Sequence, residues 1–320
     1  MKPVVIVTGG AGFIGSHLVE RLLAEGNAVV VIDDCSTGRL QNLAAVNDHP
    51  DLKIIVARLS QCPDLATLVA GADSIFHLAA VVGVDLVMKS PVKTIEMNLA
   101  ETQVILAAAS RALVPILVTS TSEVYGKSRE PEFSEADDLL IGPPSLSRWS
   151  YACSKLMDEF LALAYFREQG LPVIIARLFN IVGPRQTGHY GMVLPRFIAA
   201  AKRGEPLKVF GDGRQTRSFC YVTDTIEALI RLRRCAPAKG EIFNIGGSEE
   251  ITIRALAEKV VRLLQSKSTL EIIPYDRAYP AGFEDMLRRK PLLAKLEQFI
   301  QFRPPTSLEQ IIQQTAASIS

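Results

Sequence analysis

Residues 4–15, V-V-I-V-T-G-G-A-G-F-I-G, constrain this chain more than any other stretch. The β-branched run Val4, Val5, Ile6 and Val7 suits a strand buried on both faces. It stops at Thr8 and enters glycines, and the S-H-L-V-E-R-L-L-A-E that follows reads as a helix. Strand, glycine turn and helix is the context in which a glycine pattern marks a dinucleotide site. Here the spacing is G-x-x-G-x-x-G, on Gly9, Gly12 and Gly15, where the usual fingerprint is G-x-G-x-x-G. Gly9 allows the tight turn, Gly12 lets the backbone approach a pyrophosphate, and Gly15 lets the helix pack closely on the strand. The helix start offers free N–H groups and a positive dipole end to the phosphates.

The next apolar run, 28–32, reads as a second buried strand with Asp33 and Asp34 at its end. Asp33 follows Gly15 by 18 residues, close to the offset of about 20 at which a carboxylate bonds an adenosine ribose. A carboxylate there favours NAD over NADP, because it repels a 2′-phosphate. Arg39, in the S-T-G-R loop, works against that preference.

Strand-like runs at 3–8, 28–33, 53–57, 73–77, 115–120 and 172–177 alternate with helical segments. The expectation is an α/β fold, a Rossmann-type doubly wound parallel sheet with helices on both faces. Pro and Gly rise after residue 180, in V-G-P-R-Q-T-G, R-G-E-P, F-G-D-G and Y-P-A-G. Residues 1–178 are therefore expected to form the dinucleotide-binding part, and 179–320 a smaller, interleaved C-terminal substrate domain. E-I-F-N-I-G at 241–246 reads as a strand returning to the main sheet. The apolar content of 48% in 320 residues supplies a substantial core.

Composition excludes several classes. A net charge of +1 with no basic run argues against a nucleic-acid surface. No stretch approaches a membrane span, the N-terminus enters a strand directly, and a cytoplasmic protein is the default. Five scattered cysteines without C-x-x-C, and His17, His49, His77 and His189 without metal spacing, indicate neither a disulfide framework nor a metal site.

Tyr151 and Lys155 stand four apart in W-S-Y-A-C-S-K-L-M-D-E-F-L. On a helix they share one face. An ammonium beside a phenol lowers the phenol's pKa, so the pair suits a base that takes a proton from a hydroxyl. The run I-L-V-T-S-T-S-E-V-Y-G at 116–126 is a strand ending in hydroxyls, which puts Thr121 or Ser122 at the carboxyl end where such sheets bind ligands.

Together T-G-G-A-G-F-I-G, H-L-A-A at 77–80, S-T-S-E-V-Y-G at 120–126 and the Tyr151/Lys155 pair resemble the extended short-chain dehydrogenases/reductases that act on nucleotide sugars as epimerases, dehydratases and decarboxylases. R-L-F-N-I-V-G-P-R at 177–185, G-D-G-R-Q-T-R-S-F at 211–219 and F-N-I-G-G at 243–247 extend the resemblance over nearly the whole chain. It implies NAD recycled within one turnover, oxidation of the sugar C4 hydroxyl to a ketone, and return of the hydride. It implies that Gly9, Gly12, Phe13, Ile14, Gly15, Asp33, Leu78, Ala79, Ala80, Tyr151 and Lys155 surround NAD. Tyr151 would be the base at O4, Lys155 would lower its pKa and hold the nicotinamide ribose, and Thr121 would bond O4. Ser122, Asn180, Arg185 and Arg217 match positions that face the nucleotide sugar. A guanidinium suits that place because its planar fork pairs with phosphate oxygens.

The fold does not choose the product. From a 4-ketone, the 6-hydroxyl can be eliminated, a C6 carboxylate can leave as CO₂, or C4 can be inverted. Glu123 discriminates, since two positions after Thr121 on extended backbone it would point to the same side. By the resemblance, simple 4-epimerases carry a small or neutral residue there, whereas dehydratases and decarboxylases carry Glu. Ser122 stands where deoxythymidine-diphosphate-sugar dehydratases have Asp. S-T-S-E with Arg217 resembles the uridine-diphosphate-glucuronate decarboxylases most, with a uridine-diphosphate-sugar 4-epimerase or a 4,6-dehydratase, including the guanosine-diphosphate-mannose type, as alternatives. A non-catalytic NAD-sensing regulator would be expected to lose Tyr151 or Lys155, and both are present.

Two stretches depart from the family pattern. Arg58 stands where an Asp is usual at the adenine. F-E-D-M-L-R-R-K-P replaces an R-P-G-D-like segment and leaves the roles of Arg277, Arg288 and Arg289 open. Apolar positions on more than one face of the helices at about 97–113 and 151–168, including Leu156, Phe160, Leu161, Leu163, Ala164 and Tyr165, suggest a four-helix homodimer interface.

Overall fold

The computed structural model describes residues 2–81, 90–186, 192–278 and 284–319. His189 and the Y-P-A-G stretch at 279–282 lie outside the described residues. The first half alternates as its apolar runs predict. In order come β1 (Val4–Thr8), α1 (Phe13–Ala24), β2 (Ala28–Asp33), β3 (Leu52–Val56), α2 (Leu65–Ala70), β4 (Ser74–His77), α3 (Pro91–Ala112), β5 (Ile116–Thr121), α4 (Ser150–Gln169) and β6 (Val173–Leu178). The second half is more broken, with β7 (Ile181–Val182), α5 (Val193–Arg203), β8 (Leu207–Phe210), β9 (Thr216–Ser218), β10 (Cys220–Tyr221), α6 (Val222–Arg234), β11 (Glu241–Ile245), β12 (Glu250–Thr252), α7 (Ile253–Leu263), β13 (Leu270–Ile273), α8 (Tyr275–Ala278), α9 (Ala294–Ile300) and α10 (Leu308–Ser318).

Seven strands form one sheet in the order β11-β6-β5-β4-β1-β2-β3, all paired in parallel. β11 joins it far out of sequence, pairing with β6 from Glu241↔Ile174 to Ile245↔Leu178. Strand order reverses between β1 and β4, so a crevice opens above their carboxyl ends, the place where such sheets bind ligands. Val5, Val7, Val29, Val31 and Phe76 pack into the core under α1 and α6, while Ile6, Ile32, Ile75, Ile116 and Val118 pack on the other face under α3 and α4. Burial on both faces explains why these strands are unbroken Val/Ile runs. β13 pairs with β8 outside the main sheet.

A separate apolar cluster, including Leu194, Phe197, Ile198, Leu256, Val260 and Ile311, binds α5, α7 and α10 into one layer beside the crevice. Tyr125, Phe133, Trp149 and Phe179 form a fourth, smaller cluster beneath the carboxyl end of β5. Phe133 and Phe179 are fully buried, worth about 1.5–3 kcal/mol each. The rings of Tyr125 and Phe133 stack at 4.7 Å, which fixes the backbone that carries Glu123.

Candidate active site

The loop after β1 is built for close approach. Gly9 has φ +71°, and a Cβ there would lie 2.8 Å from Ala79 N in the loop after β4. A Cβ on Gly15 would lie 2.1 Å from Gly9 O, so only glycine lets α1 start this near the turn. The N-cap, Gly12, has no side-chain cap, so the first N–H groups of the helix stay available. Asp33 is 9% exposed and shapes the loop through Oδ2, which accepts from Ala11 N at 2.9 Å. Its Oδ1 accepts from Cys35 N at 2.8 Å. Burial raises its pKa against these two bonds.

The crevice is a cleft of about 640 Å³ that runs from this loop to the C-terminal half. Gly9, Gly12, Phe13, Ile14, Gly15, Asp33, Leu78, Ala79 and Ala80 line it, as do Thr121, Ser122, Glu123, Tyr151, Lys155, Asn180, Arg185 and Arg217. Every predicted site residue therefore faces one cavity. A loop without Cβ atoms over an uncapped helix start, with a carboxylate at the end of β2, fits a dinucleotide diphosphate and its adenosine ribose. Arg58 lines the same end and pairs with Asp34 at 3.3 Å.

Two expectations are corrected. Strand alternation does not carry Glu123 beside Thr121. β5 ends at Thr121, and Ser122–Tyr125 turn into a 3-10 helix capped by Thr121 Oγ1, which accepts from Glu123 N at 3.2 Å. The turn still aims Glu123 into the cleft. Nor is the Tyr151 phenol lowered in pKa. Burial raises it first, then the charges of Glu123 and Asp158, against a hydrogen bond with Thr121 and the charge of Arg289. Lys155 is engaged elsewhere, donating to Asp158 Oδ2 at 2.8 Å.

Glu123 is the electrostatic centre of the far end of the cleft. It is 8% exposed. Arg148 Nη1 donates to its Oε2, and Arg289 Nη2 to its Oε1 at 3.1 Å. Burial alone would raise the carboxyl, but Arg148 and then Arg289 outweigh it and hold it at about 2. Burial pulls Arg289 down to about 10. Arg148 was not singled out from the sequence. Its signal is position, one helical turn before Tyr151. Arg289 gains a role, while Arg288 pairs with Glu250 at 2.8 Å and Arg277 is exposed.

The other arginines are held just as firmly. Arg217 donates from Nη2 to both oxygens of Asp285 at 2.9 Å and from Nη1 to Met286 O at 2.9 Å. Arg185, at φ +70°, reaches back to α1, donating to Ser16 Oγ at 3.1 Å and to Glu20 Oε1 at 2.6 Å. It thus stands at the glycine-loop end of the cleft. Asn180, at φ +41°, donates to Ser218 O at 2.8 Å. Among the described residues no group of His, Cys, Asp and Glu could hold a metal ion, and no helix is long and apolar enough to cross a membrane.

Residues 5–246 match the NAD dependent epimerase/dehydratase family. The chain belongs to that family. Over 316 residues, 98% of this chain and 97% of its relative, this family member is 43% identical to UDP-N-acetyl-alpha-D-glucosaminuronate decarboxylase of Bacillus cytotoxicus. It is 36% identical to UDP-glucuronic acid decarboxylase 1 of Arabidopsis thaliana, over 96% of this chain and 67% of the relative. Among solved structures, UDP-glucuronic acid 4-epimerase from Bacillus cereus, in complex with UDP-glucuronic acid and NAD, superposes with a TM-score of 0.88 at 29% identity, covering 98% of both chains. The chain is an NAD-dependent enzyme of nucleotide sugars.

Proposed function

We propose that this epimerase/dehydratase-family enzyme decarboxylates a uridine-diphosphate hexuronate through a 4-keto intermediate. The observation that carries the reading is Glu123 clamped between Arg148 and Arg289. The triad bears one net positive charge inside a buried pocket, which suits a C6 carboxylate. A carboxylate held ionised to about pH 2 is poorly suited to the acid–base work that elimination of a 6-hydroxyl needs. The names of the relatives support the same class, and the 43% identity over nearly the full length favours a 2-acetamido sugar over the 2-hydroxy one.

Gly9, Gly12, Gly15 and Asp33 would hold NAD, which when bound would supply a reversible hydride acceptor for C4. Tyr151 Oη, reacting as its phenolate, takes the O4 proton, Thr121 Oγ1 bonds that oxygen, and Lys155 is the neighbouring cation. Arg217, Asn180, Ser122 and Arg185 form the walls that face the nucleotide sugar. Once C4 is a ketone, the uronate is a β-keto acid. Arg148 and Arg289 orient its carboxylate, the C5–C6 bond breaks, and the electron pair moves onto the C4 oxygen, which Thr121 and Tyr151 stabilise. CO₂ leaves without its proton, so C5 takes one proton from solvent. Glu123 does not supply it, being ionised already. Tyr151 then returns its proton to O4.

The experiment is incubation with UDP-N-acetylglucosaminuronate and UDP-glucuronate, following product mass. Loss of one CO₂ is expected, and Tyr151→Phe abolishes it while NAD stays bound. Mass-neutral inversion at C4 would instead establish a 4-epimerase, the activity named for the Bacillus cereus structure.

We also propose a homodimer through α3 and α4. Val92 and Ile95 of α3 are 66% and 38% exposed, and Met157 and Phe160 of α4 are 54% and 64% exposed, so apolar surface runs along two neighbouring helices. Leu161, Leu163 and Tyr165 lean on the sheet instead and are not part of that stripe.

A further inference from the structure

Asn244, in the F-N-I-G-G stretch, is fully buried near the end of β11 and has no part in the chemistry above. We propose that Asn244 is a positioning residue: its side-chain amide pins the turn that carries Glu123 to the segment that carries Arg289, and so sets the pocket that selects a sugar with a C6 carboxylate. This rests on the reading of Arg148 and Arg289 as the groups that orient that carboxylate.

The three charges of the pocket come from stretches of chain far apart in sequence, and each stretch is seated on the same apolar cluster. Val124 and Tyr125 follow Glu123, Trp149 follows Arg148, and Met286 lies just before Arg289, and all four belong to that cluster. Apolar packing is non-directional, so by itself it sets no register between the stretches. A hydrogen bond does, because its length and angle are both restricted.

Asn244 supplies that restriction from both ends of its amide. Its Oδ1 accepts from Tyr125 Oη at 2.8 Å, and its Nδ2 donates to Phe133 O at 2.8 Å. Phe133 in turn brackets the segment around Arg289. Its N donates to Lys290 O at 2.8 Å, and its O accepts from Leu292 N at 2.9 Å. The orientation of the amide is forced. A backbone carbonyl only accepts, so the NH₂ faces Phe133, and the amide oxygen is left for the Tyr125 hydroxyl, which must donate. Asn244 is itself held, since its backbone N donates to Glu135 Oε1 at 2.8 Å. The path from Glu123 to Arg289 therefore runs through Tyr125, Asn244, Phe133 and Lys290.

Asn244, Tyr125 and Phe133 do not line the cleft, so their effect on a ligand passes through the charged groups they hold. β9 grips the same segment from its other side, where Ser218 N and Ser218 Oγ each donate to Arg289 O at 3.2 Å. Those bonds keep Arg289 near the pocket when Asn244 is lost. What the Asn244 link sets is the spacing of Arg289 from Glu123. Its loss blunts recognition of the carboxylate and spares the rest of the ligand.

The test is calorimetric binding of two ligands that differ only at C6, UDP-N-acetylglucosaminuronate and UDP-N-acetylglucosamine, to the NAD-loaded protein. Tyr151→Phe is the common background, so that the uronate is not consumed. This background is expected to bind the uronate about tenfold more tightly than the carboxylate-free sugar. Adding Asn244→Ala is expected to weaken the uronate about tenfold, because small misplacements of charged groups are costly, and to leave the other sugar within about twofold. Adding Tyr125→Phe keeps the ring and removes only the hydrogen given to Asn244. It is expected to weaken the uronate about fivefold, the worth of one hydrogen bond. Equal losses for the two ligands, or a uronate preference that survives in a folded variant, would make Asn244 merely structural and overturn the proposal. Tyr125→Phe decides alone if Asn244→Ala does not fold. A background with no uronate preference would overturn the reading of the pocket itself, and that result shows before either variant is made.

Discussion

Replacing Glu123 with Gln tests the electrostatic reading most directly, because the structure sets both the size and the pH window of the effect. The carboxyl stands at about 2 in the folded protein against an ordinary 4.5. That difference spans about 2.5 pH units, and at about 1.4 kcal/mol per unit the folded state favours the ionised form by on the order of 3 kcal/mol. Glutamine keeps the shape and leaves Arg148 and Arg289 without a counter-charge, and breaking a buried ion pair on one side costs about 3–5 kcal/mol. The sign follows from the depressed pKa. The contribution is complete above about 4.5, drains as pH falls toward about 2, and is gone below that. Denaturant unfolding of the parent and Glu123→Gln across this range is therefore expected to show a gap of about 3 kcal/mol at neutral pH that closes as the medium becomes acid. Equal stability at neutral pH, or a gap that persists unchanged into acid, would refute the claim that the two guanidiniums hold Glu123 ionised.

Gly15→Ala puts a Cβ 2.1 Å from Gly9 O, a backbone atom that cannot step aside, so NAD retention is expected to fall at least tenfold by fluorescence titration, with a lower melting temperature. Arg177→Met strips Glu159 of a partner at 2.7 Å in a pair 3% exposed on both sides, and unfolding measurements are expected to show a loss of about 3–5 kcal/mol, most of it recovered when Glu159→Leu is added. Met157→Glu with Phe160→Glu puts charge on the exposed stripe of α4, and sedimentation is expected to show monomers where the parent sediments as a dimer.

The sheet was legible because one physical rule governs it. Strands buried on both faces are Val/Ile runs, and those runs locate β1, β2, β4, β5, β6 and β11 to within a residue or two. The glycine loop was legible because close approach leaves no alternative residue at Gly9 and Gly15. Glu123 was reached by a wrong local path, since the backbone beyond Thr121 coils where alternation was assumed. Its place in the cleft is owed to the 3-10 turn and to the aromatic cluster beneath it, which draws on residues as distant as Met286.

What sequence patterns left open is the set of partners that decides protonation. Lys155 alone, four residues from Tyr151, implies a lowered phenol. Burial, then the charges of Glu123 and of Asp158 in the same helix, reverse the direction. Glu123 alone implies an acid–base carboxyl, and Arg289, 166 positions away, joins Arg148 in turning it into a fixed anion. The segment that departs from the expected R-P-G-D pattern is the one that supplies Arg289 to Glu123 and Asp285 to Arg217. The shared motifs therefore bring Thr121, Tyr151 and Lys155 to one cleft. Arg148 and Arg289, from outside those motifs, bring the charge that pairs with Glu123.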